Sequence, residues 1–286
     1  MKRISCAQLV ALHGPDAVTF AHSQFTSHVA NLAIGDWQWS AWLDAQGRVR
    51  NVFALLRPES ERLIVWLPMG DAEALQANLA RFVFRAKVRV ECLRGWSLST
   101  SALPARSESP PHLTALNDGF SFYLDDVARR QVILAPDGSH TEPPDLEALN
   151  DWTLSDIHAG FPWIGEETRG QFVAHALDLQ RIGAISLDKG CYPGQEIVAR
   201  LHYRGGNKRH CEQIRISSTE PPVSGGAILT EHSDSPAGNI LYSARENDAY
   251  VGLAVLAEGA SAGHLSLADG TEVHMQLNPW RKPSAS

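Results

Sequence analysis

Lys189-Gly190-Cys191-Tyr192-Pro193-Gly194-Gln195-Glu196, continued by Ile197-Val198-Ala199-Arg200 and by Tyr203-Arg204-Gly205-Gly206, is the stretch on which the reading of this chain turns. It gathers a thiol, a carboxylate, an amide, two tyrosines and several cations around four glycines. Gly190 and Gly194 stand close on either side of Pro193, which suits neither a helix interior nor a central strand. The first half therefore predicts a constrained turn whose backbone can approach a ligand closely. Residues 196–203 are rich in β-branched and apolar types and predict a strand leaving that turn. The plainer alternative is a surface turn around a small buried thiol, because free cysteine is among the most buried residue types.

Upstream of the turn, Pro143-Pro144-Asp145 predicts a helix start, and Leu146, Leu149, Leu154 and Ile157 give that helix an apolar side. Gly160 and Pro162 end it. Residues 120–124 and 131–134 predict a strand pair before it. Nearer the start, residues 4–12 read as a first strand, and Pro15-Asp16 opens a helix with Ala17, Phe20, Ala21, Phe25 and Val29 at helical spacing. His22 and His28 on it are expected to be surface or cap histidines. Trp37 and Trp39 alternate as a strand would, Asp44-Ala45-Gln46-Gly47 makes a turn, and residues 48–56 predict the second strand of a hairpin. Residues 63–67 predict a buried strand. Asp71 predicts an N-cap for a helix with Leu75, Leu79, Phe82 and Val83 on one face, and residues 87–93 predict a half-buried strand that makes Cys92 structural. The Ser/Pro-rich run 97–111 is expected to be an exit loop. Beyond Cys211 there are only short strands with turns between them, Asp269-Gly270 among them, which predicts a small barrel or sandwich. The tail from Pro279 is expected to fray.

The length, 286 residues, allows two or three modules with real cores. Cys6, Cys92, Cys191 and Cys211 lie far apart with no Cys-x-x-Cys pair. This excludes a zinc ribbon or a ferredoxin-type cluster and fits reduced thiols in a cytoplasmic protein. The opening Met1-Lys2-Arg3 superficially resembles a signal peptide, but its apolar part is short, and no run approaches the length of a membrane span. A net charge of −7 argues against direct nucleic-acid binding. Lys189, Arg200, Arg204, Lys208 and Arg209 nevertheless crowd one window, as a small anionic ligand or an acidic partner would require. A solvated charged face is the bland alternative.

The window from Lys189 to Glu196, with Arg200 and Tyr203-Arg204-Gly205 followed by Asn207-Lys208-Arg209, resembles the signature of the YgfZ family of folate-binding proteins, relatives of the glycine-cleavage T-protein. His13-Gly14-Pro15-Asp16, Asp44-Ala45-Gln46-Gly47-Arg48 and Ala159-Gly160-Phe161-Pro162 extend the resemblance along the chain. It implies an α+β fold of three modules around a central folate site: a discontinuous folate-binding domain of residues 1–56 plus 112–204, an inserted α+β domain at 57–111, and a C-terminal β-barrel at 205–286. It also implies tetrahydrofolate or a one-carbon derivative as cofactor. The implied role is in the synthesis or repair of iron–sulfur proteins, tRNA-modifying enzymes among them, with iron–sulfur assembly factors or client proteins as partners. Where such sequences often carry a Pro-Gln pair and then an Asn, this chain has Ala174-His175 and Asp178.

A reduced folate needs a carboxylate at the pterin edge, aromatic or apolar walls, and cations for its glutamate tail. Tyr192, Gln195, Glu196, Arg200, Tyr203 and Arg204, with Trp37 as a stacking wall, are the candidate contacts. Cys191 beside Lys189 is the candidate reactive pair, since nearby cations favour a thiolate. Two other functions use the same fold. Aminomethyl transfer of the T-protein type resembles an activity needing an acid after the first hairpin, and residues 48–53 contain none, which disfavours it. A non-catalytic folate-sensing adaptor would not need the thiol. A conventional turnover enzyme is not expected.

Overall fold

Residues 4–12, which read as one strand, are two: Lys2–Cys6 (β1) and Gln8–His13 (β2), broken at Ala7. In this computed structural model, which describes residues 2–101, 112–124, 130–139, 143–231, 233–260, 263–278 and 280, the two halves enter different sheets. Ala7 N–H donates to Trp96 O at 2.8 Å where the chain crosses over. Leu9-Val10-Ala11-Leu12 is buried on both faces, so its apolar run carries no period that would reveal the crossing.

Ala17–Gln24 (α1) follows the His13–Asp16 turn. Asp36–Leu43 (β3) and Val49–Glu59 (β4) form the hairpin expected around Asp44–Gly47, with Asp44 Oδ1 accepting from Gln46 N and Arg48 N. Arg62–Leu67 (β5) is the expected buried strand. Ala72–Ala80 (α2) starts at Asp71, whose carboxylate accepts from Glu73 N and Ala74 N at 2.8 and 3.2 Å. It ends before Phe82, which the apolar spacing had placed on its buried face and which is 42% exposed. Arg89–Leu93 (β6) closes the first sheet, ordered β3-β4-β5-β2-β6.

Trp96–Ser101 (β7) occupies the start of the expected exit loop, because its alternate residues Leu98 and Thr100 pair into a ladder; residues 102–111 lie outside the described residues. Thr114–Leu116 (β8), Gly119–Tyr123 (β9) and Gln131–Pro136 (β10) complete the second sheet, ordered β1-β7-β10-β9-β8. Segment 57–111, expected as an inserted domain, thus supplies β5 and β6 to one sheet and β7 to the other, each bonded to strands from outside the segment.

Leu146–Ala159 (α3) keeps its expected bounds: Asp145 caps its start and Gly160, at φ 70°, its end. Gln195–Arg204 (α4) is a helix where a strand was expected. Arg209–Ile216 (β11), Ala227–Thr230 (β12), Ser233–Glu246 (β13), Ala249–Ala257 (β14), Leu265–Ser266 (β15) and Glu272–Met275 (β16) close into the expected barrel. The expected fraying from Pro279 falls almost wholly outside the described residues.

Three cores hold these layers. α1 and α2 cover one face of the first sheet through Phe20, Phe25, Phe53, Leu75 and Leu79. The opposite face buries Leu9, Trp39 and Trp66 against Phe122 of the second sheet and Ile157 of α3. The barrel keeps Ile214, Ile228 and Ile240 inside, while Leu241, Tyr242 and Val251 on its outer face join the central core. Tyr242 Oη donates to Phe161 O at 2.5 Å, fixing the barrel to the turn after α3. Segment 161–194, which leads to the Cys191 turn, is thereby held between the hairpin, α1 and the barrel.

Candidate functional site

The Cys191 turn is clamped from two sides. Gly194 takes φ 79° and caps α4, and the position a Cβ would occupy there lies 2.6 Å from Asp44 O and 2.6 Å from Gly47 Cα. Gly47, at φ 73°, meets Ile197 of α4 in the same way, at 2.8 Å. Two glycines in the left-handed region, each excluded from carrying a side chain, lock the hairpin turn onto the start of α4. On the other side, Ser186 N donates to Thr26 O at 2.9 Å and Thr26 Oγ1 to Ala184 O at 2.6 Å. Lys189 reaches across to the end of α1, where Nζ donates to His22 O at 2.5 Å and to Phe25 O. An ammonium on the last carbonyls of a helix is a favourable use of a lysine.

The turn and the first half of α4 enclose a cavity of about 420 Å³ lined by Ser186, Leu187, Lys189, Tyr192, Gln195, Glu196 and Ala199. Tyr192 is buried, and Lys189 Nζ lies 4.9 Å from its ring centroid, a cation–π contact. Burial pushes the Tyr192 hydroxyl up to about 12, so it stays protonated. Glu196 sits in the first turn of α4, where the helix dipole favours a negative charge. Beneath the turn, Asp188 accepts from Ser186 Oγ at 2.5 Å, and that hydrogen bond holds its carboxyl below the usual carboxylate range. The His22 and His28 rings lie 4.9 Å apart, tilted at 53°, and the His22 imidazole titrates below its ordinary value through burial and then the Lys189 charge.

Burial lowers the Lys189 ammonium to about 8. Between pH 8 and a free lysine's ordinary value the unfolded chain therefore binds the extra proton, and stability is expected to rise with pH across that window. Denaturant melts at stepped pH should show wild type gaining on Lys189→Met from pH 8 to 10. A constant difference would mean that Lys189 titrates alike in the folded and unfolded chain.

Four of the nine residues singled out in the sequence line this cavity: Lys189, Tyr192, Gln195 and Glu196. Cys191 is exposed and unpaired on the same turn. Lys189 was expected to activate it, but the lysine's hydrogen bonds run to α1. Arg200, Tyr203 and Arg204 follow along exposed positions of α4, and Tyr203 is 75% exposed. With a rise of about 1.5 Å per residue, Arg204 stands about 13 Å beyond Gln195, so it belongs to the far end of the helix. Trp37 is buried on β3 with its ring 5.3 Å from Trp39 and 4.8 Å from Phe122, a core position. Ser186, Leu187 and Ala199 were not singled out, although Ser186 and Leu187 are separated from the quoted stretch only by Asp188 and Ala199 is one helical turn from Gln195. Asp178 takes φ 51°, a left-handed conformation that Asp and Asn tolerate best among residues with a side chain.

The donor set suits a flat, polar heterocycle with an anionic extension: a carboxylate and an amide for ring edges, a tyrosine and a leucine for faces, and an ammonium. Among the described residues no group of three or more His, Cys, Asp or Glu is arranged to hold a metal ion, and no helix is long and apolar enough to cross a membrane.

No protein-family model matches the chain. It is similar to an uncharacterized protein of Haemophilus influenzae, 31% identical over 225 residues, which cover 77% of this chain and 75% of that protein. The tRNA-modifying protein YgfZ of Edwardsiella ictaluri is 29% identical over 94% of this chain and 88% of its own length, and that of Colwellia psychrerythraea is 29% identical over 84% and 79%. Among solved structures, the glycine cleavage system aminomethyltransferase T from Bartonella henselae matches at a TM-score of 0.74 and 16% identity, covering 98% of this chain and 85% of that one. That likeness shows the α+β fold with its C-terminal barrel.

Proposed function

The chain belongs to the YgfZ family, and from that premise we propose that it binds tetrahydrofolate or a one-carbon derivative in the cavity beneath the Cys191 turn. Its role on this reading is in the synthesis or repair of iron–sulfur proteins, tRNA-modifying enzymes among them, with Cys191 as the functional thiol. One observation carries the reading: an exposed free thiol sits on the same turn whose next residues, Tyr192, Gln195 and Glu196, wall a cavity with folate-like polarity. Glu196 and Gln195 would take the donor-rich pterin edge, Tyr192 and Leu187 its faces, and Lys189 an anionic group. When bound, the folate supplies one-carbon chemistry. The chain's residues orient it and keep the thiol at the cavity's edge. The four dispersed cysteines fit a reducing cytoplasm.

Aminomethyl transfer is disfavoured by the hairpin. Asn51, opposite Trp42 on β4, is 3% exposed and presents an amide where an acid would be needed, and no carboxylate lies in the stretch 48–53.

Calorimetric titration with tetrahydrofolate tests the binding. Binding weakened about tenfold by Glu196→Gln, the size expected when a charge-assisted hydrogen bond is lost, fits the proposal. No binding by any reduced folate removes it. Cys191→Ala is expected to leave folate affinity within about twofold, because the thiol lies outside the cavity lining, yet to reduce iron–sulfur enzyme activity in cells lacking the wild-type chain by at least about tenfold. Full activity of that variant would make the protein an adaptor that acts by binding alone.

A further inference from the structure

A second cleft, of about 550 Å³, opens on the other side of the Cys191 turn. Its walls include Trp42 at the end of β3, Arg50 of β4, Arg81, Phe82 and Phe84 after α2, and Pro193 of the turn itself. We propose that this cleft docks an acidic segment of a partner protein that carries an aromatic or aliphatic side chain.

The charges point that way. Arg50 and Arg81 are the two cations in the lining, Arg81 is exposed, and among the described residues neither forms an ion pair with a carboxylate. Their neighbours behave differently: Arg62 pairs with Glu59, Arg89 with Glu91 and Arg94 with Glu73. Arg50 Nε is buried without a hydrogen-bond partner. Asp44, an acid in the wall, is already used by the backbone of its own turn. The lining holds two arginines against one carboxylate, a local positive excess on a chain whose net charge is −7, and that polarity favours acidic partners.

Apolar groups stand among those cations. Phe84 is 86% exposed and Phe82 42%, the latter edge-on to Trp42 at 6.1 Å. Trp42 is 6% exposed and its Nε1 lacks a partner. Exposed aromatic side chains beside two arginines without ion-pair partners are the composition of an interface centre. A polynucleotide fits less well: it needs a row of cations along a groove, whereas the lining holds only the two arginines Arg50 and Arg81. Pro193 in the wall brings a docked segment beside Cys191, two residues away in the chain. None of the lining residues belongs to the folate cavity, so the proposal stands or falls apart from folate binding.

Fluorescence anisotropy with labelled peptides tests it, using a glutamate-rich peptide bearing one phenylalanine and one leucine, a lysine-rich counterpart, and a single-stranded RNA of the same negative charge. The acidic peptide is expected to bind more tightly than the other two, to weaken as salt is added, and to lose at least tenfold in affinity with the double variant Phe84→Ala, Arg81→Glu. Salt dependence is read on the wild-type chain, so it stands even if the double variant is unstable. Absence of acidic-peptide binding, binding indifferent to both salt and the double variant, or preference for the RNA would each overturn the proposal.

Discussion

Gly194→Ala is expected to destabilise the chain by about 2–4 kcal/mol, the sum of a left-handed backbone penalty and a steric clash that the surroundings cannot relieve by moving a flexible side chain. The atoms in the way are backbone: Asp44 O, Gly47 Cα and Gly47 N, all within 2.9 Å of the new Cβ. Relief requires the hairpin turn and the start of α4 to part, which also opens the cavity wall at Tyr192 and Gln195. Urea denaturation should therefore show the lost stability, and folate affinity should fall with it. Gly190→Ala provides the contrast, since nothing lies within 4 Å of its Cβ position and its φ is not in the left-handed region. Equal stability for the two variants would mean that the clamp does not hold the turn.

Asp156→Ala is expected to cost about 3–5 kcal/mol, because it removes the buried carboxylate that pairs with a buried guanidinium and accepts from a buried indole N–H. Asp156 Oδ1 accepts from Arg130 at 2.7 Å and Oδ2 from Trp163 Nε1 at 2.8 Å, with side-chain exposures of 6% for the acid and 9% for the arginine. Arg130 also donates to Trp152 O at 3.1 Å and lies 4.2 Å over the Trp152 ring, so it cannot turn out to water without abandoning α3. This network joins the second sheet, α3 and the Phe161–Trp163 stack into one unit. Asp156→Asn keeps the shape and one acceptor and should cost less than the alanine variant. A loss below about 1 kcal/mol for Asp156→Ala would mean that water reaches the arginine.

Features set by local chemistry were legible in the chain. The Asp44–Gly47 turn, the Asp145 and Gly160 ends of α3, and the alternating strands of the barrel each carry their determinants within a few residues. α4 was not legible as a helix, because Val198 is its only fully buried residue and Ile197-Val198 carry a strand-like β-branched signal. Gly205 with the Val198–Leu201 spacing is the helical cue that this signal masks. Trp37 was assigned to the site for its ring, but its place was decided by Trp39 and Phe122, the latter far along the chain. The second cleft could not be read at all: Trp42, Arg50, Arg81, Phe84 and Pro193 meet only once both the first sheet and the Cys191 turn are in place.

Hydrogen exchange of the purified chain with and without tetrahydrofolate tests most directly the claim that the Cys191 turn and the first half of α4 form the folate site. Ligand-dependent slowing concentrated in residues 186–199 is the predicted result. Slowing that spares this segment and appears instead around His175, Arg181 and Asn207, which line a separate cavity, would contradict it.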